Sequence, residues 1–133
     1  MKLFTDGGCT NNQNEVTKRQ MRIVVADETG VVHVEKTMKG GSNNIGELWA
    51  VAEALLFART TGIADLDIYT DSRNNLAWIE GRVGNTLNDR QSVMNLLQAI
   101  NNLRRHVKMT ITWIPRKHNV AGLYIEQTAV AES

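Results

Sequence analysis

Apolar and polar positions along the chain follow two periods, and the order in which these alternate predicts the fold. KLFTDGG, Lys2 to Gly8, is a short strand running into a glycine turn. Met21 to Ala26 and Val31 to Val34 flank Asp27-Glu28-Thr29-Gly30, a hairpin signal, so three antiparallel strands are expected to open the chain. Ser42 can cap a helix whose apolar residues Ile45, Leu48, Trp49, Ala52, Leu55 and Leu56 recur at helical spacing until Gly62 stops it. Leu66 to Thr70 is a further strand, and Ser72 to Glu80 a short helix ended by Gly81. A polar stretch, Gly84 to Asp89, precedes a third helix through Val93, Leu96, Leu97, Ile100 and Leu103. The alternation of Val107, Met109, Ile111 and Trp113 then predicts a strand that Pro115 breaks, with a last helix from near Asn119. The order is βββαβααβα, an α/β pattern in which antiparallel pairing gives way to parallel pairing with helices returning between the later strands.

At 133 residues and 42% hydrophobic content, the chain reads as one domain, residues 1–133, with an ordinary core. No charged and apolar leader opens it, and no apolar run approaches the roughly 20 residues that span a bilayer. A cytoplasmic protein with no membrane association is therefore expected. Its single cysteine, Cys9, excludes an internal disulfide and a cysteine zinc cluster. A formal net charge of +1 does not by itself announce a nucleic-acid partner, so composition leaves function open.

Candidate chemistry comes from three carboxylates. Asp6 ends the first strand, Glu47 lies in the first turns of the first helix, and Asp71 follows the fourth strand directly. Strand ends converge in sheets of this kind. Singly, each acid has a plain alternative: Glu47 can complement the helix dipole, and Asp71 can cap the next helix. Asp6 precedes Gly7 and Gly8, which put an acid beside backbone able to approach a ligand closely. Together the three suit a hard divalent cation, Mg²⁺ first, since such ions prefer carboxylate oxygens and water.

FTDGG, SNNIGELWAVAEAL and IYTDS, in this order and on strand, helix and strand, with WIPR near the end, resemble the ribonuclease H family, type 1, over nearly the whole chain. The resemblance implies a five-stranded mixed sheet with helices on both faces. It also implies hydrolysis of the RNA strand of RNA–DNA hybrids by two Mg²⁺ ions about 4 Å apart, with Mn²⁺ as an alternative. In that scheme Asp6 bridges the ions, Glu47 serves the leaving-group side and Asp71 the side that carries the attacking water. A monomer is expected, with the hybrid as its partner.

For the substrate, Gly7, Gly8 and Asn12 match the family's glycine and asparagine that touch the RNA backbone, with Asn11 as a near alternative. Ser42-Asn43-Asn44 resembles the Thr-Asn-Asn segment whose amides reach the minor groove and the ribose 2′-hydroxyl, the group that separates RNA from DNA. Asn-rich turns can equally satisfy their own backbone. Ser72 and Arg73 are further candidates for phosphate contact. The basic protrusion some members carry is short here, with only Arg82 and Arg90 in GRVGNTLNDR, and the run Arg104 to Lys108 reads as a solvated corner. Trp49, Trp78 and Trp113 read as core residues. His118 lies in the loop before the last helix, where members often keep a histidine that aids water delivery or product release, although its spacing fits poorly.

The main departure lies in WIPRKHNVAGLYIEQ, Trp113 to Gln127. Family members run from Trp-x-Pro-Arg through Asn to an Ala-Asp pair whose Asp is the fourth acid. Here Gly122 or Leu123 takes that place, depending on whether Ala121 or Asn119 anchors the comparison. On a helix Asn119 and Glu126 are nearly aligned, so Glu126 is the expected fourth catalytic and metal-binding acid, reaching back over Gly122. The alternative keeps three carboxylates and leaves Glu126 on the surface, with Asn119 lending an oxygen. Competing functions are a weakly active or inactive hybrid-binding module, a DNA-acting nuclease of the same superfamily, and the nuclease part of a larger polyprotein.

Overall fold

The computed structural model describes residues 1–9, 20–39, 42–84 and 89–129. Its strands are β1 (Lys2–Cys9), β2 (Gln20–Asp27), β3 (Val32–Lys39), β4 (Asp65–Thr70) and β5 (Lys108–Trp113). They form one sheet in the order β3-β2-β1-β4-β5. The first three pair antiparallel, while β4 pairs parallel with both β1 and β5, which is the expected switch. Gly30 closes the hairpin at φ +91°, a backbone that glycine adopts without strain. β3 runs past Val34 to Lys39, because an edge strand gains its backbone pairing with β2 without needing apolar side chains.

The helices are α1 (Asn43–Thr60), α2 (Arg73–Ile79), α3 (Arg90–Leu103) and α4 (Val120–Ala129). Ser42 caps α1, its Oγ accepting from the Ile45 backbone N–H at 3.4 Å, and Gly62 follows its end at φ +78°. α1 buries Ile45, Leu48, Val51, Leu55 and Ala58, while Leu56, off that stripe, is exposed. With α3 it covers one face of the sheet, against Leu3, Val25, Leu66 and Ile68. α4 covers the other face with a smaller cluster, Ala121 and Ile125 on Val24 and Ala26. Among the described residues no helix is long and apolar enough to cross a membrane.

The pairing sets the site. Leu3 lies beside Ile68 and Phe4 beside Tyr69, and continuing that parallel register brings Asp6 alongside Asp71 at the C-terminal ends of both strands.

Candidate active site

Strand alternation turns Gly7 toward α1 and Asp6 toward α4. A Cβ on Gly7 would stand 2.2 Å from the carbonyl carbon of Gly46 and 2.5 Å from the backbone nitrogen of Glu47, distances no side chain tolerates. Bare backbone therefore packs on bare backbone, and this close approach delivers Glu47 to the strand end where Asp6 sits. Gly7 thus has a packing role within the chain, beyond the ligand approach expected of it. A Cβ on Gly8 would meet Ile125 Cγ2 at 3.9 Å, an ordinary contact.

Asp71 is fixed by its neighbours. Thr70 is buried beside it, and the Thr70 Oγ1 accepts from the Ser72 backbone N–H at 3.1 Å. Ser72, not Asp71, caps α2, its Oγ accepting from the Asn75 N–H at 3.1 Å, which leaves the Asp71 carboxylate free of that duty. The carboxylate instead accepts from Asn119 Nδ2 at 3.1 Å. Asn119 is fully buried; the same Nδ2 donates to the Thr5 carbonyl at 3.0 Å, and its Oδ1 accepts from the Ala121 N–H at 3.1 Å. One amide thereby ties the start of α4 to β1 and to Asp71, through nitrogen toward the acid, so Asn119 offers Asp71 a donor and keeps its oxygen for the helix.

Asp6, Glu47 and Asp71 each offer an oxygen within 4.8 Å of the others. Burial first, then the charges of Asp71 and Glu47, pushes the Asp6 carboxyl up to about 8. Burial, with Asp71 adding to it, pushes Glu47 up to about 7 against a hydrogen bond from Ser72. Asp6 and Glu47, this close to each other and this dry, retain protons that a cation can replace. Asp6 Oδ1 is buried with no hydrogen-bond partner. An oxygen-only, mutually repelling set with a stranded oxygen fits a hard divalent cation.

The fourth position resolves differently from expectation. A Cβ on Gly122 would lie 3.1 Å from Asp6 Oδ2 and 3.5 Å from Asp71 Oδ2, whereas Leu123 is exposed. Of the two candidate positions it is therefore Gly122, the one reached by anchoring on Ala121, that faces the two aspartates. Glu126 does not reach back in this structure: its Oε1 accepts from Arg116 Nε at 2.7 Å, and it stays outside the three-carboxylate group. The reason is local. A short 3-10 turn, Arg116–His118, precedes α4, and its guanidinium lies between Glu126 and the acids, with Nη1 at 3.9 Å from both Asp6 Oδ2 and Asp71 Oδ2.

Other candidates are distributed around this centre. Asn44 lines a cleft of about 340 Å³ with Glu47, Asp71, Ser72, Arg73, Asn74 and Trp113, and its carbonyl accepts from Asn75 Nδ2 at 3.0 Å. Asn43 is exposed at the start of α1, and His118 is exposed in the 3-10 turn. Asn11 and Asn12 lie outside the described residues. Trp113 departs from its core reading: it is partly buried at the cleft, donates Nε1–H to the Asp71 carbonyl at 3.1 Å, and carries the Arg73 guanidinium 4.0 Å above its ring. Its position as the last residue of a strand parallel to β4 was the available signal. Arg116, the arginine of WIPR, is brought beside the acids by the 3-10 turn before α4.

A mixed sheet in this strand order, with carboxylates gathered where its parallel strands end, has the ribonuclease H fold. The chain belongs to the RNase H family, whose model matches residues 1–124. Among solved structures it is similar to RNase H1 from the halophilic archaeon Halobacterium salinarum, at 20% identity and a TM-score of 0.72 over 99% of this chain and 98% of that one. It is also similar to the N-terminal RNase H domain of a Mycobacterium tuberculosis protein, at 18% identity and a TM-score of 0.68 over 90% of each chain. A third is LC11-RNase H1, isolated from compost and solved in complex with an RNA/DNA hybrid, at 18% identity and a TM-score of 0.65 over 89% of this chain and 87% of that one. The fold is thus the type 1 one. No curated protein matches the chain.

Proposed function

We propose that this chain is a divalent-metal-dependent endonuclease that hydrolyses the RNA strand of RNA–DNA hybrids. The observation that carries the reading is the cluster of Asp6, Glu47 and Asp71, oxygens within 4.8 Å of one another at the strand ends of an RNase H fold. These three residues would hold Mg²⁺, with Mn²⁺ as an alternative. Bound there, two such ions supply an activated water and stabilise the leaving oxygen of an in-line displacement. The chain's own part is to orient and to shield. Asn119 holds Asp71 in position, the Gly7–Gly46 contact holds Glu47 against Asp6, and burial removes the water that would otherwise weaken their pull on a cation.

The cleft beside Asp71 suits the RNA strand. Asn43 and Asn44 stand at the start of α1, and the Asn44 side of the cleft faces Ser72 and Arg73. Amides there can pair with a 2′-hydroxyl, and Arg73, held over Trp113, is pre-organised for a phosphate. LC11-RNase H1, which shares the fold, is solved with an RNA/DNA hybrid. One feature favours a second reading, a hybrid-binding module with weak or no cleavage: Gly122 brings no carboxylate to the fourth position.

One assay separates them. A hybrid labelled on its RNA strand, beside matched RNA and DNA duplexes, is incubated with and without Mg²⁺. Metal-dependent cleavage of the hybrid alone, lost by about a hundredfold or more in Asp71→Asn, supports the enzyme. Cleavage that Asp71→Asn leaves unchanged sinks the mechanism, and binding without cleavage establishes the module.

A further inference from the structure

Gly122 brings only bare backbone to Asp6 and Asp71, where even a Cβ would stand 3.1 Å from Asp6 Oδ2, and the charged group that does approach both carboxylates is a cation. Arg116 Nη1 is 3.9 Å from Asp6 Oδ2 and 3.9 Å from Asp71 Oδ2, equidistant from the two carboxylates. The other edge of the same guanidinium is anchored, Nε donating to Glu126 Oε1 at 2.7 Å. At 3.9 Å the contact with the aspartates is an ion pair without a hydrogen bond, so charge and not geometry holds it. Glu126 thereby shares this cation with the two aspartates.

We propose that Arg116 is a resident counter-cation of Asp6 and Asp71, shared with Glu126, and that it competes with divalent metal for these carboxylates and so sets how readily the site loads. In this chain Gly122 brings no acid to draw metal in, and the arginine of WIPR stands beside the two aspartates as a cation that must yield to it. Glu126 acts on the metal through Arg116: by pairing with the guanidinium it weakens the competition. The inference rests on the reading of the acid cluster as a metal site, and it differs from the expectation that Glu126 is itself a ligand.

The two roles of Glu126 separate in a double-mutant cycle read by calorimetric titration of Mn²⁺ and Mg²⁺ into protein without nucleic acid. Working at about pH 9, above the raised carboxyls, removes proton competition. Arg116→Gln is expected to tighten metal binding by about tenfold, and Glu126→Gln to weaken it by about threefold. In the Arg116→Gln background, adding Glu126→Gln is expected to change affinity by less than about twofold. Both side chains are half exposed, and unchanged denaturation midpoints certify that the variants fold. Arg116→Gln with unchanged or weaker binding overturns the counter-cation. An equal loss from Glu126→Gln in both backgrounds overturns it too, and makes Glu126 a ligand. No binding in either the wild type or Arg116→Gln defeats the metal-site reading itself, whereas binding that ignores Arg116 defeats only this inference.

Discussion

Two helices bring residues to the acid cluster, and they are held there by different forces. α1 meets β1 through Gly7 and Gly46 with no side chain between them, and beneath that contact Leu48, Val51 and Leu55 are sealed in the larger core. α4 arrives from the opposite face with a much smaller apolar footing and a polar hold. Asn119 ties its start to Thr5 and Asp71, and further along Arg22 reaches Thr128, stacks 5.1 Å from the Tyr124 ring and pairs with Glu35. Packing that admits no added atom at Gly7 fixes the acid on α1 within narrow limits. Polar contacts that avoid residue 122 hold α4 in place without calling on that residue's side chain.

The sharpest way to break this comparison is to add one methyl group on each side of the α1 contact. Gly7→Ala drives a Cβ to 2.2 Å from backbone, which only movement of α1 can relieve, and is expected to cost about 3 kcal/mol or more. At Gly46 the added Cβ meets Met21 Sδ at 3.5 Å and Gly7 Cα at 3.6 Å, ordinary contacts, while alanine favours the helix by up to about 1 kcal/mol. Urea denaturation of both variants checks the asymmetry. Equal losses would mean that the approach of strand and helix is loose, and that Glu47 is not positioned by it.

That asymmetry also explains how much the sequence disclosed. The order of elements along the chain and the four helices were legible because their periods and caps are local: Ser42, Ser72, Gly62 and Gly81 do at their positions what their residue types predict. Asp6, Glu47 and Asp71 were legible because each lies at an element boundary that the parallel register brings together. The α4 side was not. Whether Gly122 or Leu123 faces the aspartates depends on how α4 is seated after the 3-10 turn at Arg116, and Glu126 aligned with the site on an ideal helix wheel that had no guanidinium in it. Helical angle alone gives a direction; what intervenes along it is a tertiary fact. Trp113 was misjudged for a similar reason, since an apolar residue closing a strand can face the core or the cleft, and here it carries Arg73.

Next in size is the dependence of metal-free stability on pH, which tests the α1 side by charge instead of volume. Burial and neighbouring acids raise Asp6 from 3.8 to about 8 and Glu47 from 4.5 to about 7. Across that window the folded protein retains protons that the unfolded chain has released, so stability falls as pH rises, by a few kcal/mol in total, and levels off on either side. Asp27, held down near about 2 by Thr29, works in the opposite direction only below the window. Denaturation midpoints measured with a chelator should fall from about pH 4 to about pH 8, and added Mg²⁺ should flatten the slope by replacing the retained protons. A flat metal-free profile would mean that the three carboxylates are farther apart or wetter than their 4.8 Å grouping implies.

The smallest effect probes the hold on α4. Tyr124 donates its hydroxyl to Glu35 Oε2 at 2.7 Å, while Arg22 already engages the other oxygen through Nε at 3.0 Å and Nη2 at 2.6 Å. Glu35 is open enough to solvent for water to take the place of the lost hydroxyl, and the ring that Arg22 stacks on remains in Tyr124→Phe. The expected loss is therefore about 0.5 kcal/mol in urea denaturation, with divalent affinity unchanged because nothing in this network touches Asp6 or Asp71. A loss near 2 kcal/mol, or any weakening of metal binding, would mean that this one hydroxyl carries the seating of α4. Residue 122 would then sit on a support too narrow to absorb change, and its freedom to become glycine would have to come from the packing of Ala121 and Ile125 instead.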